Sequence, residues 1–238
     1  LGGREMKRIT ITLLIMSMMT LVGCSGLATG SGNVEKDEAK SEATLESMEI
    51  KTANDALERL KKGNEQYVKD AKETIDVSKE RRAELENGQN PFAVILSCSD
   101  SRVVTSHIFN TGLGDIFDIK LAGNVVDDLA IGSIEYGVEH LGVPLLVVMG
   151  HESCGAVTAA YESIHEGTEV EGNIGSIVER IAPAVEASES IEEASHKNVE
   201  DVIAQLAEDE IIKHLVESGK LEIVGAYYDL DGHVEFLD

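Results

Sequence analysis

The sequence predicts an α/β fold: a mainly parallel central β-sheet flanked by helices and finished by a terminal hairpin. Three observations carry this. Two short apolar runs, Phe92–Ser97 and Val143–Met149, lead straight into Cys98 and Gly150; unbroken runs of this length are the pattern of strands buried on both faces. Segments with helical apolar spacing alternate with these runs. The chain closes on Leu221–Tyr228, the turn residues Asp229-Leu-Asp-Gly232, and His233–Leu237, a strand–turn–strand pattern.

Taken in order, Ala56, Leu57, Leu60, Asn64 and Tyr67 form a helical stripe that Gly63 is expected to interrupt. A second helix is expected over 78–86, with Asn87-Gly88 as its stop. Strand one is 92–97, and Gly114–Ala122 reads as strand two, ending at Gly123-Asn124. Ile131, Ile134, Val138 and Leu141 place an amphipathic helix over 128–141. Strand three is 143–149, and a helix begins near Cys154 and runs to His165. Ile174, Ile177, Val178, Ile181 and Val185 mark a further helix that Pro183 is expected to kink. Val199 to Val216 predicts one long or broken helix, stopped by Gly219.

The 238 residues suffice for one ordinary domain with appendages, and a hydrophobic content of 42% suffices for its core. A formal charge of −24 repels nucleic acid and anionic lipid, so neither is expected as a charge-driven partner. From Met6 the chain has a basic Lys7-Arg8 followed by a mostly apolar stretch, Ile9–Val22, short for a spanning helix, which needs about 20 apolar residues. Leu21-Val22-Gly23-Cys24 resembles the lipobox of bacterial lipoproteins. That resemblance implies cleavage before Cys24, lipidation of its sulfur, and a mature protein anchored outside the cytoplasmic membrane. Residues 24–52, poor in large apolar side chains, read as the lipidated Cys and a flexible tether, and 53–238 as the globular domain.

The chemistry gathers at strand ends. Cys98 follows the first strand directly; His151 and Cys154 follow the third. Ligands in such sheets bind beyond the carboxyl ends of the strands. Two thiolates and one imidazole suit zinc, and three protein ligands leave the fourth position that catalytic zinc sites keep open. Outside the cytoplasm, a Cys98–Cys154 disulfide is the rival reading of the residues alone.

Cys98-Ser-Asp-Ser-Arg-Val103, Ala122-Gly-Asn124 and Gly150-His-Glu-Ser-Cys-Gly155 resemble the three signature blocks of the β-class carbonic anhydrases, and the similarity extends over nearly all of 53–238. Ala56–Asn64, Ser133-Ile-Glu-Tyr136 and Gly225–Leu230 add to it. The resemblance implies one zinc ion per subunit, bound by Cys98, His151 and Cys154, and an Asp100–Arg102 pair that orients the attacking oxygen. The implied reaction is the reversible hydration of carbon dioxide to bicarbonate and a proton, through hydroxide formed at zinc. It also implies a homodimer or higher even oligomer, with the N-terminal helices around Tyr67 clasping the partner. The backbone N–H of Gly155, at a helix start, is expected to face bicarbonate. Two positions depart from the family pattern: Thr111 stands where Gln is frequent, and Lys120 where Arg is usual. These departures keep a catalytically silent zinc-binding surface lipoprotein as one alternative. Hydrolysis of CS2 or COS on the same fold, as some relatives of the family carry out and as loop contacts at the site entrance would decide, is the other.

Overall fold

The structure, a computed structural model, describes residue 45, residues 48–70 and residues 76–237. The leader, Cys24 and most of the expected tether lie outside the described residues. Helix α1 spans Ala53–Val68 and opens on a reciprocal capping box. The Thr52 hydroxyl accepts the Asp55 N–H at 3.1 Å, and the Asp55 carboxylate accepts the Thr52 N–H at 3.0 Å. Ahead of it Ile50 already packs on the core, so the packed region begins slightly before the expected start at 53.

The remaining elements follow the alternation read from the sequence. They are α2 (Lys79–Glu84, extended by a 3-10 turn to Asn87), β1 (Ala93–Ser97), α3 (Thr105–Ile108), β2 (Ile116–Lys120) and a 3-10 turn at Ala122–Asn124. Then come α4 (Asp128–Glu135), β3 (Leu145–His151), α5 (Gly155–Glu166), α6 (Ile174–Glu186), α7 (Ile191–Ala207), α8 (Glu210–Glu217), β4 (Glu222–Tyr228) and β5 (Val234–Leu237). The sheet order is β2-β1-β3-β4-β5, with every pair parallel except the closing β4–β5 hairpin.

Both faces of the sheet are covered, which is why its central strands carry no polar alternation. Val94 and Leu96 of β1 turn to one side, where Val199, Val202 and Leu206 of α7 and Ile134 of α4 bury them. Ala93 and Ile95 turn to the other, against Ala56 and Leu60 of α1. This is the two-residue period of a strand read out on two cores.

Several expectations are corrected. Gly63 does not interrupt α1. A Cβ there would lie 1.9 Å from the Phe109 carbonyl oxygen, so glycine is what lets the helix approach the end of α3. Across that contact Arg59 donates to the carbonyls of Phe109 and Asn110 at 3.2 and 2.8 Å, and Asn64 donates to Ile108 at 3.2 Å. These bonds satisfy carbonyls that a short helix leaves open at its C-terminus. Gly63→Ala is therefore expected to lower stability by about 1–3 kcal/mol through overpacking, despite a helix-propensity gain of about 1 kcal/mol; urea unfolding reads it.

The 128–141 helix is α-helical only to Glu135 and finishes as a π turn over Tyr136–His140. The long or broken helix is two helices. Its first part starts at Ile191, earlier than the apolar stripe suggested, because Ser190 caps it by accepting the Glu193 N–H at 3.1 Å. Asp209 then ends the run by capping α8, accepting the N–H groups of Ile211 and Ile212 at 3.0 Å each. Helix α6 continues through Pro183 to Glu186.

Candidate metal centre

β1 and β3 lie side by side at the middle of the sheet, with Ser97 opposite Met149. The residues that follow therefore emerge together at the carboxyl edge, Cys98 one residue past Ser97 and His151 two residues past Met149. β3 runs through His151, two residues beyond its expected end, and Cys154 is the N-cap of α5. The ligand atoms of Cys98, His151 and Cys154 all lie within 4.8 Å of one another, and all three residues are buried. Among the described residues, this is the cluster of its kind able to hold a metal ion.

Two observations test whether these residues fit a metal. The Nδ1 of His151 meets the Glu152 carbonyl at 2.9 Å, which makes Nδ1 the protonated nitrogen and leaves Nε2 with its lone pair. His151 is only 1% exposed, and that buried Nε2 has no hydrogen-bond partner. A buried acceptor without a partner is costly unless something binds it. The sulfurs tell the same story. Cys98 and Cys154 are free cysteines with Sγ atoms 3.9 Å apart, well beyond a disulfide bond of about 2.05 Å. The disulfide expected as a rival is therefore not formed. The Cys98 thiol is lowered to about 4, chiefly by the hydrogen bond from Cys154 and further by His151 and the N–H groups of Gly123 and Asp100, against the opposing effect of burial. Cys154 is pushed up by that same Cys98 neighbour and by burial. A second thiolate in this pocket requires a cation between the sulfurs. Imidazole nitrogen plus two thiolates is a donor set for a zinc-like ion.

The loop after Cys98 brings Asp100 and Arg102 to the same place. Arg102 donates from Nε and a terminal nitrogen to the two Asp100 carboxylate oxygens at 2.9 and 2.8 Å, a two-pronged ion pair. The Arg102 backbone N–H adds a third bond at 2.9 Å. Together these hold the Asp100 carboxyl well below the usual carboxylate range, with the Arg102 side-chain hydrogen bond the largest cause. Arg102 also donates to the Ser153 carbonyl at 3.2 Å, tying the Cys98 loop to the His151–Cys154 turn. That tie matters because Ser153 has φ +56, a left-handed conformation that costs a non-glycine residue roughly 1–2 kcal/mol.

Lys120 and Thr111, the two departures from the expected pattern, both have partners. The Lys120 ammonium donates to the Val103 carbonyl at 2.6 Å and the Ser97 hydroxyl at 3.2 Å, so it fastens the end of the Asp100–Arg102 loop to β1. Thr111 is buried, and its hydroxyl faces the Ser106 carbonyl at 3.5 Å. Gly155 opens α5, and a Cβ there would meet nothing within 4 Å, so packing does not demand glycine. Tyr67 is partly exposed and its ring lies against Gly232, while Ala56 and Leu60 of the same stripe are spent on the chain's own core.

Sequence reasoning missed Ser153 and Asn198. Nothing in the sequence announces a left-handed serine. Asn198 did leave a signal: a polar residue on the apolar stripe that continues through Val199, Val202 and Leu206.

The chain is similar to known carbonic anhydrases. The carbonic anhydrase family model matches residues 93–234, which include both loops of the centre. Carbonic anhydrase 2 of Mycobacterium tuberculosis is 43% identical over 182 residues, covering 74% of this chain and 88% of that protein. A carbonic anhydrase of Mycolicibacterium smegmatis is 40% identical over 189 residues, covering 76% and 91%. Among solved structures, the β-carbonic anhydrase CafA of Aspergillus fumigatus superposes with a TM-score of 0.59 at 29% identity, covering 67% of this chain and 81% of that one. One of two tetrameric β-carbonic anhydrases from Sordaria macrospora gives 0.60 at 25% identity, covering 66% and 85%. The chain belongs to the β-class carbonic anhydrase family.

Proposed function

We propose that this chain catalyses the reversible hydration of carbon dioxide to bicarbonate and a proton, with one zinc ion held by Cys98, His151 and Cys154. The observation that carries the reading is the convergence of two thiols on the unpartnered Nε2 of His151 beside an ionised, Arg-held Asp100. When bound, zinc supplies the Lewis acidity that makes water nucleophilic near neutral pH. The protein supplies position. Asp100, kept anionic by Arg102, would accept a hydrogen bond from the attacking water and so turn its lone pair towards carbon dioxide. Carboxylate and guanidinium cost little to reorganise during the reaction, since each already holds the other. The Gly155 N–H is proposed to meet the negative oxygens of bicarbonate; its support is the position of Gly155 as the first residue of α5, where helix N–H groups lack partners within the helix. Stopped-flow carbon dioxide hydration across pH, with zinc counted on the same sample, tests the whole reading. A folded, zinc-loaded protein without turnover from acidic to alkaline pH would overturn it.

An even oligomer is part of the proposal. It is supported by the Sordaria relatives, described as tetrameric, and by large apolar side chains left on the surface, with Leu129 82% exposed and Val77, Val104 and Tyr136 also exposed. The address is proposed as extracytoplasmic, on a lipid attached to Cys24. Its support is the order of basic pair, apolar stretch and Leu21-Val-Gly-Cys24 in the sequence. Cys24→Ser is expected to move the protein out of the lipid-modified membrane fraction with hydration activity unchanged; membrane fractionation with fatty-acid labelling reads it.

A further inference from the structure

Helix α7 lies outside all three sequence blocks of the centre, yet it reaches in. Asn198 is 2% exposed, and its side-chain N–H donates to the Gly123 carbonyl at 2.9 Å. Gly123 in turn donates its backbone N–H to the Cys98 sulfur at 3.2 Å. Between those two bonds Gly123 is left-handed, at φ +70 and ψ +21, and a Cβ on it would come within 2.7 Å of Ile181 and 3.0 Å of Ala156. Gly123 is thus held on both sides: its carbonyl by Asn198 and its N–H by the Cys98 sulfur. No side chain of its own fixes it.

We infer that Asn198 is a positioning residue of the metal centre: by holding the Gly123 carbonyl, it aims the Gly123 N–H at the Cys98 sulfur. A donor on a thiolate draws charge away from the sulfur, and an outer hydrogen bond of this kind tunes both the ligand's strength and the metal's acidity. The surroundings raise its weight. Cys98 shares an apolar cluster with Val125, Cys154, Val157, Ile181 and Ala194, so the sulfur is packed against apolar side chains on that side. Helix α7 is firmly seated for the task, packed on β3, β4, α5 and α6. The alternative role for a buried asparagine is to satisfy a carbonyl for stability alone, and the test must separate the two.

The inference rests on metal binding by Cys98, His151 and Cys154, so the wild type is measured first. Zinc affinity by chelator competition, and the thiolate-to-metal charge-transfer band of the cobalt(II)-substituted protein, are compared in wild type, Asn198→Asp, Asn198→Ser and Val202→Ala. Val202 is buried on the same helix but belongs to the sheet core, and controls for lost stability. Both Asn198 variants are expected to bind zinc about 10–100-fold more weakly and to shift the cobalt band. Val202→Ala is expected to lose stability in urea with affinity and band unchanged. If the Asn198 variants lose stability but keep affinity within about twofold and the band in place, Asn198 is structural and the inference fails. Failure of both variants to fold would also overturn it, by making Asn198 a folding residue. Absence of metal binding in the wild type would instead overturn the zinc reading itself.

Discussion

Cys154→Ser is expected to abolish carbon dioxide hydration and to yield a folded protein without stoichiometric zinc. The physical reason is the donor set. Serine is about the size of cysteine but is not ionised at neutral pH, so it removes one of two thiolates from a proposed centre of three protein ligands. What remains, Cys98 and His151, gives two ligands to a metal in a pocket built for three. Lost affinity is coupled to lost chemistry, because water without a metal has a pKa of about 15.7 rather than about 7. Activity should fall to the uncatalysed background rather than by a graded factor. Elemental analysis and stopped-flow hydration on one preparation check both halves. A zinc-replete, active Cys154→Ser protein would show that the metal sits elsewhere.

Arg102→Ala is the second large effect, and it should separate turnover from metal binding. The variant loses the two-pronged hold on Asp100 at 2.9 and 2.8 Å and the 3.2 Å tie to Ser153, but no ligand. Misplacing a reacting group by about 1 Å costs on the order of 10²-fold in rate, and that is the expected fall in kcat, with zinc content near one per chain. Arg102→Lys should recover only a part, since an ammonium is a point charge without the planar fork. Should Arg102→Ala lose zinc in step with activity, the residue holds the ligand loop rather than Asp100.

How far the sequence carried this is best seen at particular residues. Cys98, His151 and Cys154 were legible because a parallel sheet delivers whatever follows its strands to one edge, and two apolar runs each ended in a metal donor. The sheet itself was legible for the same reason: strands covered on both faces cannot hide their hydrophobicity. Gly63 misled, because propensity scores a glycine by its own freedom and not by the Phe109 carbonyl that needs the space. The early start of α7 was missed because its first turns expose Glu192 and Glu193 and bury only small or polar residues, Ala194, Ser195 and Asn198. The tie from Asn198 to Gly123 spans 75 residues, a separation at which periodicity says nothing.

That the centre is assembled from adjacent strands, with Cys98 and Cys154 separated by 56 residues in the chain, bears on when it can exist. The three donors converge only after β1 and β3 have paired, a non-local event expected to be completed past the folding barrier. Metal capture then follows the barrier instead of helping to cross it. Its free energy accordingly falls on the unfolding side: a loaded chain unfolds more slowly while refolding at an unchanged rate. For a protein proposed to hold zinc and to work outside the cytoplasm, the ion would then be the part that governs how long the fold survives.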